Sequence, residues 1–185
     1  KYKATKDNTL TNAYKLDLST RATGSNMGAS DILEVFSIYG QQTTSSAELS
    51  RTLLEFPIST ISTDRTAGTI PASGSVNFYL RLFNAKHGSS VPSGFILSAS
   101  AVTADWEEGF GLDMEGYKDI TRDGEGSSWA NANGDLAAAT LANAIDTTTS
   151  DALDAFTMTV PTAAGGDGVA HKFTIVAANS DVPAG

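Results

Sequence analysis

With 185 residues, a formal net charge of −9 and no cysteine, the chain is long enough for one well-cored domain and too acidic to favour phosphate backbones or anionic lipid. Disulfides, thiolate metal sites and a cysteine nucleophile are excluded. No stretch approaches the roughly 18 uncharged apolar residues of a spanning helix, and the acidic charge means that neither nucleic acid nor membrane is expected as a partner.

Apolar residues recur with period two, which places them on one face of an extended backbone. Tyr14, Leu16 and Leu18 form the first such set. Ile32, Phe36 and Ile38 form the second, with Leu33 and Val35 opposite, and Thr52, Leu54, Phe56 and Ile58 the third, where both faces are expected to be partly buried. Pro57 marks an edge or a strand exit, because proline has no N–H for a ladder. From Ser75 to Phe83, Val76, Phe78, Leu80 and Leu82 alternate with Asn77, Tyr79 and Arg81, which predicts a central strand. Phe95, Leu97, Ala99 and Ala101 follow, then Phe156, Met158 and Val160, and last Phe173, Ile175 and Ala177.

Turn-rich pieces at 22–30, 40–46, 72–74, 87–94 and 163–168 separate these segments. Gly134 to Ala144 breaks the pattern. Its helix formers, with Asp135 near an N-cap, admit one short helix near 135–145; a surface crossover is the other reading. About seven or eight strands predict an all-β antiparallel β-sandwich. The expected organisation is a single domain over residues 1–180, with 181–185 as a linker or chain end. Lys1 without a preceding methionine suggests a processed or partial chain.

The order of certain motifs is informative. Ser25, Asn26, Gly28 and Ser30 precede Leu33 and Val35, and Arg51, Leu53, Leu54, Glu55, Phe56 and Ile58 follow. Then come Val76 to Leu82, the run Val102, Thr103, Asp105, Trp106, Glu107, Glu108 and Gly109, and a second tryptophan, Trp129. This order resembles the DNRLRE-type domain family over residues 7 to 130, and more loosely over 150 to 178. The resemblance implies a jelly-roll-like sandwich, and the run from Trp106 through Asp113, Tyr117 and Asp119 is similar to versions found in virion proteins of tailed bacteriophages. It therefore implies a non-enzymatic structural protein of a tailed-phage virion: a capsid decoration, fibre or tail-associated protein. Its partners would be other virion subunits in a homo-oligomer or symmetric assembly. Related domains in secreted bacterial proteins imply the alternative, a carbohydrate-binding module of a secreted or surface protein. Independently of the family, Gly28 permits a left-handed turn, Asn26 can bond its own loop backbone, Arg51 suits an acid at a sheet edge, and Trp106 suits closing the end of the sandwich.

Two chemistries compete for the acidic stretch Asp105 to Glu125. Asp113, Glu115, Asp119 and Asp123 could supply oxygen ligands to calcium, with nearby glycines curving the backbone, but the spacing is not that of an EF-hand. A solvated acidic loop paired with Lys118 and Arg122 is the simpler expectation, so no cofactor is expected. Glu107 and Glu108 make a poor glycosidase pair because neighbours on an extended chain point oppositely, and no catalytic residues are assigned. For a glycan or protein partner the nominees are Trp129, Tyr117 and Trp106, whose rings could stack on a sugar or instead pack in the core.

Overall fold

The computed structural model describes residues 1–40, 42–72, 76, 78–83, 85, 96–97, 102, 105–112, 126–131, 156–157 and 170–175. The chain divides into two compact units, Lys1–Pro57 with Val102–Ile145, and Ile58–Ala101 with Asp146–Gly185. The described elements are mostly strand, paired antiparallel, with one short helix.

The first unit carries a three-stranded sheet of order β1-β3-β2, with β1 at Lys6–Thr11, β2 at Ser37–Tyr39 and β3 at Ala47–Glu55. On one side of β3, Lys6 faces Glu55 and Thr11 faces Ser50; on the other, Ser37 faces Leu49 and Tyr39 faces Ala47. From Asn8 to Thr11, β1 is buried on both faces. Polar residues there are tolerated only if bonded, and they are. Asn8 is held by its neighbours as described below, and Thr11 Oγ1 donates to the Leu49 carbonyl at 3.1 Å. The core is Leu10, Leu53 and Trp106, with Val102 and Trp129 packed against it. Burying each leucine contributes about 1.5–3 kcal/mol.

Several expected strands of this unit take other forms. The first strand is Lys6–Thr11, not the Tyr14, Leu16, Leu18 set. Residues 14–21 form a closed loop with a single bridge between Tyr14 and Arg21. The Asp17 carboxylate overrides the alternation there: Oδ1 accepts the Ser19 and Thr20 N–H groups, both at 2.9 Å, and Oδ2 accepts the Thr20 hydroxyl at 2.7 Å. Of the second set only Ile38 lies in a strand, β2. Upstream, side chains replace the ladder, since the Glu34 N–H donates to Thr9 Oγ1 and the Phe36 N–H to Ser50 Oγ. In β3 Leu53 is buried and Leu54 half-buried, so both faces are partly covered, and Leu53 is the one that enters the core. Pro57 is a strand exit, as β3 ends at Glu55 and a helix begins at Ile58.

That helix, α1 (Ile58–Thr66), belongs to the second unit and buries none of its residues. It has no apolar stripe, and Thr63 and Thr66 donate their hydroxyls back to the Ser59 and Ser62 carbonyls. Strand β4 (Phe78–Phe83) pairs with β7 (Ala170–Ile175), Phe78 opposite Ile175 and Phe83 opposite Ala170; β5 (Ile96–Leu97) pairs with β6 (Phe156–Thr157). Leu80 and Leu82 are half-buried while Tyr79 and Arg81 are exposed, the alternation read from sequence. Among the described strands β4 has one hydrogen-bonded neighbour, β7. The expected helix near 135–145 and the chain end at 181–185 lie outside the described residues.

Candidate functional site

One side chain organises the segment that follows the core tryptophan. Asn26 is fully buried. Its Nδ2 donates to the carbonyls of Glu108 and Ser127, each at 2.7 Å, and its Oδ1 accepts the N–H groups of Gly28 at 3.1 Å and Gly111 at 3.0 Å. A carboxamide has two donors and two acceptor positions, so every one is used. Three stretches of chain, at 26–28, 108–111 and 126–128, thus converge on one residue.

The convergence requires glycine. A side chain on Gly28 or Gly111 would run into the backbone carbonyls of Glu108 or Asn26, and Gly109 also sits at φ +81° directly against the Asn26 amide. Asn8 of β1 repeats the device one layer in. Its Nδ2 donates to Ser127 O at 2.9 Å and Ser127 Oγ at 2.8 Å, and its Oδ1 accepts the Met27 N–H at 3.0 Å. Main-chain bonds from Ser127 to Glu107 and from Ala29 to Gly111 complete the junction.

Charged side chains tie the same segment to β1. Lys6 Nζ lies 2.9 Å from Glu55 Oε2 and 3.7 Å from Asp105, donates to the Trp106 carbonyl at 3.1 Å, and sits 5.5 Å from the Trp106 ring centre. The Glu55 contact holds the Lys6 ammonium above its ordinary pKa. The Asp7 N–H donates to Glu108 Oε1 at 2.8 Å. Burial, and next the Glu108 charge, push the Asp7 carboxyl above the usual range.

Between these anchors Phe110 is 72% exposed and Leu112 51% exposed. They flank Gly111, whose N–H and C=O are both bonded into the unit. Two large apolar side chains are therefore exposed on a stretch of backbone that hydrogen bonds hold at Gly111.

The residues nominated from sequence fall in different places. Trp106 is buried at 6% exposure, so it belongs to the core. Trp129 is half-buried against that core, and the Arg51 guanidinium lies 4.3 Å from its ring centre. Arg51 is on the central strand of its sheet, not at an edge. Gly28 has no left-handed φ, and its need for glycine comes from the close approach of Glu108. Tyr117 and the calcium nominees Asp113, Glu115, Asp119 and Asp123 lie outside the described residues. Among the described residues no group of His, Cys, Asp or Glu could hold a metal ion, and no helix is long and apolar enough to cross a membrane. Sequence reading caught Asn26 and Gly28 but as a local turn; the spacing of Gly109, Gly111 and Gly126 was the signal that other chain segments approach closely.

Comparison with family models, with curated proteins and with solved structures finds no match to the chain, so the DNRLRE-type resemblance rests on its motif residues alone.

Proposed function

We propose that the chain is a non-enzymatic structural protein that works through protein–protein contacts, and that its setting is the virion of a tailed phage, as a capsid decoration, fibre or tail-associated component. The proposal includes the finer fold reading, a jelly-roll-like antiparallel sandwich. The observation that carries it is the exposed pair Phe110 and Leu112 on the segment pinned by Asn26. Exposed apolar side chains on a preorganised backbone suit a protein contact, because little ordering entropy remains to be lost on binding. The net charge of −9 keeps such a surface soluble and makes association sensitive to salt.

The glycan alternative has weaker support. A sugar ring needs an open aromatic face, whereas Trp106 is buried and Trp129 has Arg51 over its ring. Mass spectrometry of gradient-purified particles from the phage that encodes the chain tests the proposal. Stoichiometric recovery supports it. Absence from particles, or retention on a glycan column that Trp129→Ala abolishes, overturns it.

A further inference from the structure

Among the described residues the sheet of the first unit is covered along β1 and open along β2. On the β1 side, the Asp7 N–H is taken by Glu108, Thr9 and Thr11 are fully buried, and their hydroxyls accept the N–H groups of Glu34 and Ala13. The β2 side differs. Bonds from the Ser50 N–H to the Phe36 carbonyl and from the Gly40 N–H to the Ser46 carbonyl bracket the strand, with Ile38 opposite Glu48 between them. Antiparallel ladders alternate, so residues 36, 38 and 40 turn their backbone groups toward residues 46–50, while Ser37 and Tyr39 turn their N–H and C=O groups away. Both residues are exposed, Tyr39 by 74%, and β3 is the one strand paired with β2 among the described strands.

Among the described residues nothing along this edge protects it. Natural edges carry lysine, proline or a bulge against unwanted pairing, but residues 35–47 include no charged side chain and no proline. A basic partner would find no charge to pair with there. A second copy would find a match, because two chains of net charge −9 repel least where both are uncharged. The edge is also self-complementary. With a two-fold axis through Ile38, Ser37 of each copy faces Tyr39 of the other, and each such pair can exchange both of its N–H···O bonds.

We infer that the β2 edge is a homodimer contact, in which two copies join β2 to β2 antiparallel and merge their three-stranded sheets into one. The contact deepens the assembly reading by naming one partner. It is measured in solution without particles, so its failure and the failure of that reading are distinguishable.

Sedimentation of the full chain between about 1 and 500 µM tests it, since a short edge gives a concentration-dependent dimer. The mass should rise to twice that of the monomer, and exchange of the Ser37 and Tyr39 amides should slow at least ~10-fold at the high end. Ser37→Pro removes an outward N–H that β3 does not use, so the variant should keep the wild-type circular dichroism and stay monomeric. Ser37→Lys, which puts a charge on the edge and leaves the backbone unchanged, should do the same. A wild type that is monomeric throughout, or a dimer that persists in either folded variant, overturns the inference.

Discussion

At the scale of single residues, the junction is a polar core whose stability depends on complete satisfaction. Removing Asn26 leaves the Glu108 carbonyl and the Gly28 and Gly111 N–H groups without their partner inside the unit, while the Ser127 carbonyl keeps Asn8. Each buried group left unpaired costs about 1–3 kcal/mol, so Asn26→Ala should lower unfolding stability by about 3 kcal/mol or more in urea titration. Asn26→Asp should be no milder, because a carboxylate oxygen would replace the donor that faces the Glu108 and Ser127 carbonyls. An Asp variant of wild-type stability would refute this account of the junction. Asp7 supplies a pH-dependent counterpart. With its folded pKa above the unfolded value, the native state holds the proton more tightly, so the penalty is absent below the unfolded pKa and complete above the folded one. Glu108→Gln keeps an oxygen for the Asp7 N–H and removes the like charge. It should lower the Asp7 titration midpoint by NMR and raise Tm slightly at pH 7, whereas an unchanged midpoint would leave burial as the sole cause.

At the scale of elements, the loop at 14–21 shows why local chemistry can outweigh alternation. Arg21 Nη1 donates to the carbonyls of Asn12 at 2.8 Å and Ala47 at 2.9 Å, and its guanidinium lies over the Tyr14 ring, which fixes the base of the loop. Leu18 adopts φ +51° near the tip, a conformation costing a residue with a Cβ about 1–2 kcal/mol. Leu18→Gly should therefore leave stability unchanged or raise it by up to about 1 kcal/mol, despite the loss of a leucine. A clear fall in Tm would mean that the leucine side chain contributes packing. The Asp17 carboxyl, held well below the ordinary range by the Ser19 and Thr20 N–H groups, contributes stability above its unfolded pKa that is lost as pH falls through the folded value. Amide exchange of Ser19 and Thr20 should accordingly be protected at pH 5 and lose that protection on Asp17→Ala.

The sequence made the turn at 40–46, the exit at Pro57 and the alternation of β4 readable, because each depends on neighbours along the chain. It hid β1, whose residues Lys6, Asp7, Asn8 and Thr9 look like a polar loop until Asn8 is seen bonded to Ser127, 119 positions away. It also left open which of Leu53 and Leu54 enters the core, since both are apolar and the core partners of Leu53, Leu10 and Trp106, are distant in sequence. The helix at Ile58–Thr66 carried no apolar period to betray it.

At the scale of the whole molecule, a strongly acidic, cysteine-free chain presents apolar residues at fixed places, Phe110 and Leu112 on the pinned segment and Tyr39 on an open edge. That combination fits a protein that stays dispersed until it meets its assembly partner. On the proposed function the Phe110 and Leu112 surface makes the contact with that partner. This contact is tested most directly by measuring incorporation of Phe110→Asp/Leu112→Asp into purified particles against wild type, with the melting curves of the two proteins compared. The variant should melt like wild type and be lost from particles by at least ~10-fold, as expected when central apolar anchors are removed. Equal incorporation of wild type and variant would contradict it.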